Sequence, residues 1–329
     1  MNRSSPDSAG LDRESLSWLV SRACGEEIAV TRRNRESGRG REVHEVVTAS
    51  GSRLVIRGEG AEGIGLDQEA WFLARAREAG VPVPDVLWLG TADTEAGPRT
   101  VVVQTAAAGQ PLGTALPRMS AAQRRSAAWS CGQVIARLHS VLVGGFHCRH
   151  HDGTFEYADF GALQAADLAA RLGNLGELAG AGLTAEEVAL AESLLPEAVA
   201  ARGDGPAVLC HGELFPAHIF VTTGEDDEVT VSGLIDWSDA CGGRPLHDLE
   251  VLCWSWPDVD RAALAEGYGP TPFWGDRGRR LALGQLRMLI GYAAHDLRAG
   301  QPADARGHLS AVKALLASPA IKARPDTLR

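Results

Sequence analysis

The 329-residue chain contains no run of eighteen apolar residues, and no charged-then-apolar leader opens it. A membrane-spanning helix and a secretory signal are therefore not expected, and the chain reads as cytoplasmic. It has no Cys-x-x-Cys pair: Cys24, Cys131, Cys148, Cys210, Cys241 and Cys253 are scattered. That spacing argues against a zinc site or a disulfide framework and for reduced thiols. There is no internal repeat, and nothing is low in complexity beyond an alanine bias. Basic charge is also lacking. The net charge of −10 speaks against nucleic acid as the main partner and suits a cationic or neutral one.

What is present supports a globular protein. A hydrophobic content of 45% over this length suffices for a real core and for two units of ordinary size. After a Ser-rich start, Leu11, Leu16, Leu19 and Val20 share one face of a helix over about 11–24. Strands are expected at 28–31, 43–48 and 54–57, the last two joined by a hairpin turn at 49–52. A helix over about 66–79 is stopped by Gly80, Pro82 and Pro84. Strands at 86–89 and 100–104 complete a five-stranded sheet. A boundary falls near 106–111, giving units 1–105 and 106–329. Beyond it the pattern is helical: about 120–140, 160–172, 184–203, 245–256, 259–266, 276–298 and 303–317. Thr184 and Glu187 form a capping box for one of these.

The most informative stretch runs from His211-Gly212-Glu213 through His218-Ile219-Phe220-Val221 to Ser232-Gly233-Leu234-Ile235-Asp236-Trp237. It reads as two short strands joined by a polar turn. One carboxylate lies in the loop before the first strand, and another lies just after the second. Phosphoryl transfer needs this layout: one acidic group orients and deprotonates an attacking hydroxyl, and the other holds the metal that neutralises the phosphates.

This stretch resembles the catalytic and metal-binding loops of the aminoglycoside phosphotransferase family, small-molecule kinases on the protein-kinase fold. The family pattern is His-Gly-Asp, four residues, Asn or His, then a strand ending Ile-Asp-Trp or Ile-Asp-Phe. The macrolide phosphotransferases are nearest in style, sharing His at the place of His218 and the run Ser-Gly-x-Ile-Asp-Trp-Ser. Weaker similarity spans about 43–315. The resemblance implies a two-lobed protein-kinase-like α+β fold. Its small N-lobe would carry a five-stranded antiparallel sheet and one main helix, and its C-lobe would be larger and mostly helical.

It also implies roles. Glu213 stands where the family has its catalytic Asp, one methylene longer, so the loop or the acceptor hydroxyl must sit differently or activity is low. His211 belongs to the catalytic loop, more as an anchor bonding backbone carbonyls than as an acid or base. Asp236 and His218 hold Mg²⁺, with Mn²⁺ possible because imidazole suits it better. His218 either ligates directly or orients a metal-bound water. Asp239 supplies a supporting contact, and Asp248 caps the following helix and braces the catalytic loop.

Arg57, paired with Glu69, clamps the phosphates of ATP or GTP. Gln104, Thr105 and Ala106 form the hinge whose backbone reads the purine. The segment 32–41 is either a loop over the phosphates or a solvated basic hairpin tip. Asp159-Phe160-Gly161 matches the protein-kinase metal motif by letters, but it precedes the catalytic loop and follows no expected strand, so it reads as a helix start. Trp254, Asp258, Tyr292, His295 and Asp296 are candidate substrate residues. With Trp256, Tyr268, Phe273 and Trp274 they would line an aromatic, acidic cleft.

The implied activity is transfer of a nucleotide γ-phosphate to a hydroxyl of a small-molecule antibiotic. The order of preference is macrolide, aminoglycoside, then nucleoside or peptide antibiotic. The alternatives are a metabolite kinase of choline, homoserine or sugar type, and a nucleotide-binding pseudokinase regulator.

Overall fold

Alternating burial builds the first sheet. The computed structural model describes residues 11–34, 42–59, 65–94, 97–270 and 278–322. Helix α1 (Arg13–Cys24) is followed by β1 (Ile28–Asn34), β2 (Val43–Thr48), β3 (Arg53–Gly58), α2 (Leu66–Glu78), β4 (Val86–Thr94) and β5 (Gly97–Thr105). The five strands form one antiparallel sheet in the order β1-β2-β3-β5-β4. Val46, Leu54, Ile56, Val101 and Val103 bury against Leu16, Leu19 and Val20 of α1. Trp18 meets Trp88 edge to face across this contact. Helix α2 turns its apolar stripe, Phe72, Leu73 and Ala76, toward the larger helical core and brings the buried Glu69 to the sheet. The expected loop at 32–41 has its residues 35–41 outside the described residues, as are Phe273 and Trp274.

The rest of the chain is mostly helical. It comprises β6 (Gln110–Pro111), α3 (Leu112–Ala115), α4 (Ala121–His139), β7 (Phe146–Arg149), β8 (Phe155–Tyr157), α5 (Phe160–Ala181), α6 (Ala185–Ala200), β9 (Val208–Cys210), β10 (Ile219–Thr223), β11 (Val229–Leu234), β12 (Cys241–Gly243), α7 (Leu246–Ser255), α8 (Arg261–Tyr268), α9 (Arg279–Arg298), α10 (Pro302–Ala317) and α11 (Pro319–Lys322). The Thr184–Glu187 capping box is present in both directions. Helix α5 runs nine residues past its expected end at 172. Its fully buried Leu175 and Leu178 carry it through Gly173, where an interior glycine costs only about 1 kcal/mol.

Two small sheets had no counterpart, or only part of one, in the sequence pattern. Strands β11, β10 and β6 form one, and β8, β7, β12 and β9 form the other. Strand β8 lies just before Asp159, so the expectation that no strand precedes that motif is corrected; three residues are too few for a period-two signal. Asp159 nevertheless acts as a helix start, its carboxylate accepting the Ala162 N–H at 2.9 Å. Among the described residues, no helix is long and apolar enough to cross a membrane.

A buried ionic cluster joins α5, α7 and α9. Asp167 accepts from Arg171 and Arg287, each at 2.9 Å, and Glu250 accepts from Arg287 at 2.8 Å. His247 Nδ1 accepts from Arg202 at 2.8 Å. Burial and the Arg202 charge push the His247 pKa from its ordinary 6.5 down to about 3. The unfolded chain therefore takes up this proton first on acidification. His247 gives its full contribution to stability above about pH 6.5, and loses it progressively as pH falls toward 3. The melting temperature should accordingly fall from pH 7 to pH 4. In His247→Gln, which keeps an acceptor without a titrating ring, the slope over that window should be shallower. An unchanged slope would remove His247 as a source of the acid sensitivity.

Candidate active site

The cleft between the first sheet and the helical body encloses about 390 Å³ and is lined from both sides. Above lie Arg57, Gln104, Thr105 and Ala106; below lie Glu213, His218, Ile235 and Asp236. One ligand atom each from Glu213, His218 and Asp236 falls within 4.8 Å of the others.

The catalytic loop is held by a hub beneath it. Asp248 accepts the N–H groups of His211 and Gly212, each at 2.9 Å, and the ring of His139 at 3.1 Å. Burial alone would raise this carboxyl. The His139 bond and the charges of the neighbouring imidazoles outweigh it and bring the pKa down to about 2, so Asp248 stays ionised. It does not cap its own helix: Pro245 occupies the N-cap position of α7, and its place there carries no side-chain cap. His139 in turn bonds the Tyr268 hydroxyl at 2.9 Å, a relay absent from the sequence reading. Gly212 is required where it stands. Its φ is 84°, and a Cβ there would lie 2.0 Å from the Asp239 carbonyl oxygen.

His211 is fully buried and ties the two carboxylate-bearing loops together. Its Nε2 donates to the Ile235 carbonyl at 2.9 Å, and its Nδ1 accepts the Glu213 N–H at 3.3 Å. Burial lowers its pKa, which keeps the ring in this neutral tautomer. Both ring nitrogens are thereby engaged with the main chain.

His218 Nδ1 donates to the Glu213 carbonyl at 2.9 Å. That bond fixes the tautomer and leaves the Nε2 lone pair facing Asp236 Oδ2 at 3.7 Å, too far for a hydrogen bond. Asp236 follows β11 in the left-handed region, φ 61°, and Ser238 Oγ donates to both Asp236 and Asp239. Trp237, buried beside the His211 ring, anchors the turn through its Nε1–H to Leu234 O. Two carboxylates and an imidazole with its second nitrogen pinned by a carbonyl make a donor set that fits a divalent ion.

On the roof, Arg57 forms an ion pair with Glu69 and reaches Gln104 Oε1 at 3.4 Å. Burial pulls the Arg57 pKa down, but Glu69 and then Asp236 outweigh it, and the net shift is upward. Gln104, Thr105 and Ala106, the expected hinge, all line the cleft. The Thr105 and Ala106 N–H groups already donate to Asp85 O and Arg53 O, each at 2.9 Å. Neither is left for a purine edge.

The substrate candidates divide. Trp254 and Tyr292 join Phe215 and His308 in one aromatic run, with ring centroids 5.2–6.2 Å apart. The run starts two residues from Glu213. Burial first, and then the Glu213 charge, raise the Tyr292 hydroxyl pKa. Asp258 instead lies exposed on the surface, paired with Arg124 at 2.6 Å. His295 is exposed, and Asp296 is buried against His308 Nδ1 at 2.6 Å. Trp256 and Tyr268 belong to the core. The acidic character read into this wall is therefore already spent on internal partners. Phe215 and His308 were missed because the run that holds them, through Trp254, joins segments some ninety positions apart.

The profile of the phosphotransferase enzyme family matches residues 32–283. The chain belongs to this family. Its members are enzymes that transfer phosphate to hydroxyl groups, and this chain is one of them. Among solved structures, it is similar to a thermostable mutant of aminoglycoside phosphotransferase APH(4)-Ia, with 17% identity, a TM-score of 0.66, and coverage of 91% of this chain and 98% of that one. Another crystal of such a mutant holds AMP-PNP and hygromycin B. Macrolide 2'-phosphotransferase MphH from Brachybacterium faecium is 22% identical, with a TM-score of 0.56 and coverage of 91% and 97%. The putative fructosamine-3-kinase from Thermobifida fusca YX-ER1 is 20% identical, with a TM-score of 0.63 and coverage of 93% and 100%. No curated protein matches the chain by sequence. These likenesses establish the kinase-like α+β fold.

Proposed function

We propose that this phosphotransferase moves the γ-phosphate of ATP or GTP to a hydroxyl of a small-molecule antibiotic, a macrolide before an aminoglycoside. The convergence of Glu213, His218 and Asp236 beneath the Arg57–Glu69 pair carries the reading. Asp236 and His218 Nε2 would hold a divalent ion, which when bound supplies charge neutralisation on the phosphate oxygens. Arg57, kept charged and oriented by Glu69, holds phosphate oxygens from the opposite side. Glu213 orients the acceptor hydroxyl in line with the γ-phosphate and takes its proton. The Ala107 amide, next along the cleft wall, is the hinge donor for the base.

The aromatic run supports the order of preference. An aminoglycoside is a polycation and calls for uncommitted carboxylates, whereas Asp258 and Asp296 are taken by Arg124 and His308. Phe215, Trp254 and Tyr292 offer apolar area suited to a glycosylated lactone. The chain should be expressed in a sensitive bacterium and tested against antibiotics of each class. Macrolide tolerance should rise, and mass spectrometry should find a product heavier by about 80 Da, as phosphoryl transfer requires. Nucleotide binding without any phosphorylated antibiotic would move the reading to a metabolite kinase or a pseudokinase.

A further inference from the structure

A second cavity, of about 210 Å³, opens between α5, β12 and α9 and shares no lining residue with the nucleotide cleft. Three guanidinium groups meet there, the buried Arg202 and Arg287 and the half-buried Arg171, against the two carboxylates Asp167 and Glu250. Asp248 forms no ion pair with any of the three among the described residues; its oxygens serve His139 and the loop at His211 and Gly212. The surplus positive charge falls on Arg202, which is only 7% exposed. Its nearest carboxylate oxygens stand at 3.8 and 3.9 Å, beyond hydrogen-bond reach. Its one short contact is to a neutral imidazole, and its Nε, 3.8 Å from Glu250 Oε1, makes no hydrogen bond among the described residues. A buried cation so weakly hydrogen-bonded is costly, and a guanidinium that lines a cavity meets that cost best with a planar or tetrahedral oxyanion.

The arrangement is built into the backbone. A Cβ at Gly291 would lie 2.0 Å from Arg171 Nη1, and one at Gly284 would lie 2.1 Å from Glu250 Oε1. The missing side chains at both positions leave room on helix α9 for these two charged ends.

We propose that this cavity is a binding site for a small free oxyanion of the phosphate or sulfate class, held by Arg202 and Arg171. Its occupant is separate from the phosphates handled in the nucleotide cleft, and the site stands or falls independently of the acceptor substrate.

The test uses the full chain. Crystals soaked in selenate should show an anomalous peak within hydrogen-bond distance of Arg202. In solution, sulfate or inorganic phosphate should raise the melting temperature above sodium chloride of equal ionic strength, growing with the logarithm of concentration and reaching about 2 °C at ten times the dissociation constant. Ala166→Leu with Ala170→Leu fills the cavity from α5 without touching the charged cluster. This variant should keep only the general salting effect of sulfate. No selenate peak at Arg202, or an equal specific shift in the filled variant, would overturn the proposal. If the filled variant does not fold, the selenate position in the unaltered protein decides alone.

Discussion

An Asp236→Ala enzyme is expected to lose roughly 10³-fold or more in kcat/KM and to bind nucleotide no more tightly with magnesium than without it. The expectation follows from how little else at the site can replace this carboxylate. His218 is tied by its Nδ1 to the Glu213 carbonyl and brings no negative charge. Asp239 is set aside through Ser238, and Asp248 is committed to the loop beneath. Removing Asp236 also takes an attractive charge from Arg57, so the phosphate clamp weakens on both sides. The fold should survive. The φ of 61° at Asp236 suits alanine slightly less than aspartate, a cost of about 1–2 kcal/mol, which a melting curve would register as a small shift. Calorimetric titration of ATP with and without magnesium separates the two readings. If the magnesium effect persists in Asp236→Ala, the ion is held elsewhere.

How far the site was legible in the sequence depended on whether its residues are near one another along the chain. Glu213, His218 and Asp236 lie within 24 positions, on a hairpin whose strands show alternation, and their shared cleft could be expected. The first sheet was legible for the same reason, since Val46, Leu54 and Ile56 recur at period two. Strands β7, β8, β9 and β12 were not, because three or four residues carry no period. The aromatic run needed α9 and α10 to bring Tyr292 and His308 to Phe215, a matter of packing and not of pattern. The errors over Asp258 and Asp296 have a common cause. A carboxylate in a sequence advertises charge but not its partner, and both partners lie on other turns or other helices. The arginines of the second cavity show the converse. Nothing local along the chain marks Arg171, Arg202 and Arg287, and only the tertiary fold brings all three around Asp167.

Substitutions at Glu213 should separate catalysis from binding most sharply. Glu213→Ala is expected to lower kcat by about 10²–10⁴-fold while leaving nucleotide affinity close to that of the unaltered enzyme, since the side chain acts on the acceptor hydroxyl. Glu213→Asp, which restores the residue of the family pattern, should also lose activity, by about 10²-fold. The reason lies in the main chain. The Glu213 N–H donates to His211 Nδ1, and its carbonyl accepts from Phe215 N–H at 2.8 Å and from His218 Nδ1. With N–H and C=O both fixed, the backbone has little freedom to advance and make up a lost methylene. A carboxylate withdrawn by about 1.5 Å then sits well outside the tolerance of an in-line transfer. Glu213→Gln, with the length kept and the basicity removed, should match alanine in kcat and the unaltered enzyme in nucleotide binding. If Glu213→Asp turns over as fast as glutamate, the loop does adjust and the longer side chain carries no positional meaning. If Glu213→Gln remains active within a few-fold, proton removal is not the part this carboxylate plays.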